Sequence, residues 1–129
     1  MLEFILSEMQ RILKIPYREK KGTREPRYVI QIEPFEIETF THNNQICLFA
    51  VVGALPTPIK SESLEYLMTA NFLGQGTGGC SLGFDKSEKY LTLSARFDYE
   101  VNYRAFIDKV EEVINYIDYW KSVLLEWNK

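Results

Sequence analysis

The residues with the most chemical potential in this 129-residue chain are one histidine, two cysteines, a glycine-rich run and several carboxylates. Gly74-Gln75-Gly76-Thr77-Gly78-Gly79 matches the dinucleotide-binding spacing G-x-G-x-x-G through Gly74, Gly76 and Gly79. That fingerprint works when a strand enters the glycines and a helix leaves them, so that pyrophosphate sits at the positive helix end. Here apolar periodicity puts a helix before the glycines and a strand after them. The negative end of the helix dipole then faces the loop and repels phosphate. A plain helix-to-strand connection with no bound nucleotide is expected. His42 is the only histidine and sits beside Asn43 in turn-forming sequence. No His, Cys, Asp and Glu cluster at metal-ligand spacing surrounds it.

Cys47 and Cys80 lie inside apolar runs, where a thiol behaves as a small hydrophobe. Nucleophilic catalysis would require one of them exposed and next to His42. The two could form one bridge, but nothing else suggests a secreted disulfide scaffold. Glu36 and Glu38 alternate onto one strand face, and Glu111 and Glu112 lie on the outer side of a helix. These read as solvated faces rather than an acid/base pair. The expectation is a protein without catalytic residues, metal or cofactor.

Composition agrees with an ordinary globular domain. Hydrophobic residues make up 46% and charged residues 26%, which argues against disorder. The 14% aromatic share is high for so short a chain, and points to some rings at interfaces. A net charge of −3 argues against a nucleic-acid partner, since such binding releases phosphate counterions through a basic surplus. The charge is uneven: Arg11, Lys14, Arg18, Lys20, Lys21, Arg24 and Arg27 face only Glu19 and Glu25 in the same stretch. A solvated linker is the simpler account of that run. The N-terminus carries acids, lacks a basic segment and precedes no long apolar stretch. Neither a signal peptide nor membrane insertion is expected, and the location is read as cytoplasmic.

One domain is expected from the length, and the elements that hold these residues follow from periodicity. Residues 2–14 form an amphipathic helix with Leu2, Ile5, Leu6, Met9, Ile12 and Leu13 on one stripe. Phe4 and Ile15 fall off that stripe, and Pro16 ends the helix. Residues 18–26 read as a polar loop. Strands follow at 28–32, at 35–41 with Phe35, Ile37 and Thr39 opposite Glu36, Glu38 and Phe40, and at 46–52. The last is continuous enough to be covered on both faces. His42-Asn43-Asn44-Gln45 is the turn between the latter two.

A second helix spans 61–73, with Leu64, Leu67, Met68 and Phe72 at helical spacing. Ser61 or Ser63 is its expected cap and Gly74 its end. Strands 80–84 and 90–97 form a hairpin, with Leu91, Leu93, Ala95 and Phe97 to one side. A long helix from 102 to about 127 carries Tyr103, Phe106, Ile107, Val110, Val113, Ile114, Ile117 and Leu124. The order is α-β-β-β-α-β-β-α, an α+β architecture with helices flanking a twisted antiparallel sheet.

The stretch from the second helix through the fifth strand, residues 61–97, resembles the class I type III secretion chaperones, including the chaperone of the translocated intimin receptor. That family has a helix ending in Leu-x-x-x-Asn, a glycine-containing loop, and a strand like Leu-x-Leu-x-x-Arg-Phe. Here these are Leu67 to Asn71, Gly74 to Gly79, and Leu91-Thr92-Leu93-Ser94-Ala95-Arg96-Phe97. The element order and acidic balance are also similar. The last helix is followed by Asn128-Lys129, where some members carry an acidic tail, and the basic residues 18–27 have no counterpart in the pattern.

The resemblance implies a dimer that binds the N-terminal segment of a secreted effector, extended around it by strand addition and apolar pockets. It implies a homodimer, or a heterodimer with a related chaperone. Its dimer surface would fall on Leu64, Leu67, Met68, Phe72 and Leu93. Phe4, Ile15 and Phe40, large and off their main stripes, are the expected client-binding residues. A YbjN-like interaction module without a secretion role is the alternative.

Overall fold

A computed structural model describes residues 1–73, 80–98 and 102–129. The glycine run at 74–79 lies outside the described residues. The elements are helix α1 (Leu2–Leu13), strands β1 (Tyr17–Glu19), β2 (Arg27–Ile32), β3 (Phe35–His42) and β4 (Gln45–Ala54), helix α2 (Ser61–Leu73), strands β5 (Ser81–Phe84) and β6 (Tyr90–Asp98), and helix α3 (Tyr103–Trp127). The strands form a six-stranded sheet in the order β1-β2-β3-β4-β6-β5. The expected α+β class and element order are found, with one addition. β1 lies where sequence suggested a loop, because Tyr17, Arg18 and Glu19 pair antiparallel with Ile30, Val29 and Tyr28.

Two compact units divide the chain, residues 1–49 with 96–111 and residues 50–95 with 112–129. In the first, α1 buries Leu2, Ile5, Leu6 and Met9. Ile12 and Leu13, expected on the same stripe, are exposed in the last turn. The helix stops at Lys14, which adopts a left-handed conformation and donates its N–H to Gln10 O at 3.1 Å. α1 is tied to the sheet by Tyr28, whose hydroxyl donates to Glu3, and by the Ser7–Tyr17 hydroxyl pair at 3.2 Å. Ile30 pairs with Ile37 and Tyr28 with Thr39, and all four are buried on the face toward α1. Asn43 and Asn44 both take positive φ in the two-residue turn between β3 and β4. That backbone matches the strands' twist, and asparagine tolerates it.

β4 does not stay covered on both faces. Ile46, Cys47 and Leu48 are buried in succession, but beyond them burial alternates and Val51 is exposed. In the second unit the buried side chains include Val52, Leu67, Ala70, Leu82, Leu91, Leu93, Ile117, Trp120 and Leu124. Thr92, which alternates onto the side opposite Leu91 and Leu93, is also buried, against Gly83, where an added Cβ would stand 3.2 Å from its Oγ1. α2 begins at Ser61 with the Leu64 N–H bonded to Lys60 O, so Lys60 stands at the cap position and Ser61 and Ser63 lie inside the helix. α3 is capped by Asn102, whose Oδ1 accepts the Ala105 N–H at 2.8 Å.

Candidate protein-interaction surfaces

In the first unit the exposed apolar residues lie along α1. Phe4 is 67% exposed, and Ile12 and Leu13 extend the surface. Ile15 is half-buried just after the helix. β1 then runs along one edge of the sheet. Lys20 N–H bonds Arg27 O and Gln31 N–H bonds Pro16 O, so residues 16, 18 and 20 turn their backbone groups toward β2. Tyr17 and Glu19 therefore point N–H and C=O away from the sheet, the pattern of an antiparallel edge.

Phe40 is elsewhere. It shares a face with Glu36 and Glu38, opposite the face tied to α1, so it does not join Phe4 in one groove. It is half-buried, and the Arg27 guanidinium sits 3.9 Å from its ring centroid. Three of the basic residues pair with two carboxylates on this face. Arg18 lies 3.8 Å from Glu36, Lys20 3.2 Å from Glu38, and Arg27 2.8 Å from Glu38. Three of the seven residues of the basic run thus belong to a cross-strand set of ion pairs, and not to a loose linker. Burial works against ionising Glu38, but hydrogen bonds from Arg27 and Lys20 outweigh it and hold the carboxyl below its ordinary range. Burial pushes the Cys47 thiol up, against the smaller opposing pull of Arg96 and Arg27. The Tyr28 hydroxyl is raised to about 12 by its hydrogen bond to Glu3 and by burial.

In the second unit α2 exposes large apolar side chains, as do Leu125 on α3, Val51 on β4 and Phe84 on β5. Ser63, Leu67 and Ala70 form the buried side of α2, while Leu64, Met68 and Phe72 are exposed, Met68 by 64% and Phe72 by 89%. The helical spacing read as one stripe therefore divides: Leu67 packs inward and the other three face out. Leu93 is fully buried within its own chain. Leu67 and Leu93 accordingly belong to the core of the single chain, and of these five only Leu64, Met68 and Phe72 are exposed on it.

A groove of about 180 Å³ runs beside the exposed residues, lined by Leu64, Leu67, Met68, Asn71, Leu82, Gly83, Phe84 and Leu91. Phe84 was missed at the sequence level, although it is an aromatic at a hairpin's turn beside Asp85. Asn71 was visible only as a motif letter. Its Oδ1 accepts the Leu82 N–H at 2.9 Å and its Nδ2 donates to Leu82 O at 3.2 Å. Near the end of α3, Tyr66, Tyr119, Trp120 and Trp127 form an aromatic cluster, with ring centroids 5.2 to 6.2 Å apart. The Tyr66 and Tyr119 hydroxyls are hydrogen-bonded, which raises the Tyr66 hydroxyl together with burial. No group of three or more His, Cys, Asp or Glu is placed to hold a metal ion among the described residues.

The α+β fold thus leaves large apolar side chains exposed on its helices, beside ordered polar contacts such as that of Asn71 with Leu82. Residues 5–121 match the Tir chaperone protein (CesT) family, and the chain belongs to that family of chaperones. A Chlamydia pneumoniae protein is 36% identical over 83 residues, 64% of this chain and 63% of that relative. The match thus spans less than two thirds of the relative's length. A chain of the ExsC–ExsE complex is similar with a TM-score of 0.75 at 12% identity, over 95% of this chain and 92% of that one. A chain of the HopA1–SchA chaperone–effector complex gives 0.72 at 12% identity, covering 94% and 93%. An uncharacterized protein from Methanothermobacter thermautotrophicus gives 0.71 at 9% identity, covering both chains fully. At these identities the likeness is one of fold. No helix among the described residues is long and apolar enough to cross a membrane.

Proposed function

We propose that this chain is a cytoplasmic, non-enzymatic chaperone that acts as a dimer. It binds the N-terminal segment of a type III secretion effector and keeps that segment soluble and competent for export. The observation that carries this reading is the set of large apolar side chains left outside the core of a CesT-family domain: Phe4 on α1, and Met68 and Phe72 on α2. Surface of that kind favours binding another protein over remaining in water. The outward backbone groups of Tyr17 and Glu19 supply a short edge to which an extended segment can add. Leu64, Met68 and Phe72 are assigned to the dimer contact, and Phe4 with Ile15 to the client.

Co-purification of N-terminal effector fragments with the chain, followed by calorimetric titration, tests the assignment. One-to-two stoichiometry with micromolar or tighter affinity is expected. No binding to any effector N-terminus encoded in the same genome would sink it. A second reading is an interaction module of the YbjN type without a secretion role, resting on the same exposed apolar side chains. It predicts capture of a partner that is never exported.

A further inference from the structure

β5 and β1 are the two terminal strands of the sheet, and an unprotected terminal strand is a template for strand addition by any extended chain. Their backbone chemistry differs. On β5, Asp85 N–H bonds Tyr90 O, and Ser81 and Gly83 lie at the same alternation opposite Ser94 and Thr92. Leu82 and Phe84 therefore aim their N–H and C=O groups away from β6. At Leu82 both of those groups are already taken. The Asn71 side chain accepts from the N–H at 2.9 Å and donates to the C=O at 3.2 Å. A carboxamide carries one acceptor and two donors at the spacing of a peptide group, so it occupies the place a neighbouring strand's residue would take.

We propose that Asn71 closes the β5 edge against strand addition and so determines which edge of the sheet receives an extended segment. An added antiparallel strand bonds at alternate residues, here Leu82 and Phe84. With Leu82 occupied, Phe84 alone remains within β5, and one residue does not hold a strand. On β1 no side chain does the same for Tyr17 or Glu19 among the described residues. Asn71 is a specificity-determining residue that acts through the backbone of β5 and touches no client itself. The side chains of α2 are left to meet a partner without the two sheets fusing. The claim about the preferred edge rests on the proposed client reading; the closure of β5 does not.

Amide exchange and sedimentation velocity test it. In the unaltered protein the Leu82 amide should exchange about tenfold or more slowly than the Phe84 amide, since only the first is hydrogen-bonded. Equal exchange at the two positions would overturn the inference without any variant being made. Asn71→Ala should assemble beyond the size of the unaltered protein as concentration rises, and its Leu82 amide, exposed when dilute, should regain protection as it does so. Asn71→Asp keeps the acceptor and adds a charge that discourages pairing at the edge, so it should not assemble. Equal behaviour of the two variants, or assembly of Asn71→Ala with Leu82 still unprotected, would assign Asn71 a merely structural role. Failure of every effector fragment to bind, with these exchange results intact, would remove the chaperone reading and leave the closed edge standing.

Discussion

Arg27 holds its guanidinium 3.9 Å from the centre of the Phe40 ring while its Nη1 donates to Glu38 at 2.8 Å. One side chain thus covers an aromatic ring and neutralises a carboxylate on the same sheet face. Arg27 and Phe40 are register partners on β2 and β3, so the stacking is a cross-strand pair of the kind that stabilises sheets. Phe40 is consequently less available to a client than Phe4.

The same arrangement sets a pH dependence. Glu38 is held below its ordinary value of 4.5. A lowered folded-state value means the stabilisation is complete above about pH 4.5 and is lost as pH falls through the lower folded value. Glu38→Gln should cost about 0.5–1 kcal/mol at neutral pH, as expected of a partly exposed pair. The difference from the unaltered protein should shrink toward pH 3. Urea denaturation at pH 7 and pH 3 measures both; a constant difference would mean the charge is not what matters.

The three client candidates, Phe4, Ile15 and Phe40, should now separate. Phe4→Glu should leave the melting temperature nearly unchanged, because the ring is mostly in water. Losing its burial in a client interface, about 1.5–3 kcal/mol, should weaken effector binding about tenfold or more. Ile15→Glu and Phe40→Glu replace half-buried side chains and should lower the melting temperature as well. Melting and effector-fragment affinity measured on the same samples decide between these outcomes. Unchanged affinity for Phe4→Glu would move the client surface off α1.

Much of this was legible in the sequence, and the failures have physical causes. Period and breaker residues located all three helices and five of the strands, because amphipathic patterns are dictated by burial on one side. β1 was missed because Tyr17-Arg18-Glu19 carries no apolar alternation; its pairing with β2 supplies what its own composition does not. α2 misled because it is apolar on both sides: Leu67 serves the core while Leu64, Met68 and Phe72 do not, and spacing alone cannot tell a core stripe from an interface. Asn71 looked like an ordinary late-helix residue, since its role exists only once Leu82 is brought against it.

Trp120 was passed over at the sequence level even though it continues the spacing from Val113 and Ile117 to Leu124. It is fully buried, with its ring 5.5 Å from Tyr66 and 5.2 Å from Tyr119. Trp120→Ala should cost about 3–5 kcal/mol, read from chemical denaturation with tryptophan-independent circular dichroism. Trp120→Phe should recover most of that. A loss under about 1 kcal/mol for the alanine variant would show that the cluster is not structural.

The proposed dimer contact gives the sharpest contrast, because α2 carries both buried and exposed apolar residues within one turn. Leu67 is 4% exposed and Met68 is 64% exposed. A charge at Leu67 would be buried without a partner, which costs far more than a small domain's stability can absorb. Leu67→Asp and Leu93→Asp should therefore unfold the chain at any concentration. Met68→Glu and Phe72→Glu place the charge on a face that is open in the single chain, so they should fold. If that face is the dimer contact, of about 1,200–2,000 Å² in total, the two variants should sediment as well-folded monomers at concentrations where the unaltered protein is dimeric. Circular dichroism alongside sedimentation equilibrium separates the two effects. Met68→Glu and Phe72→Glu that remain fully dimeric would place the contact on another surface, whereas an unaltered protein that is monomeric throughout would remove the dimer itself.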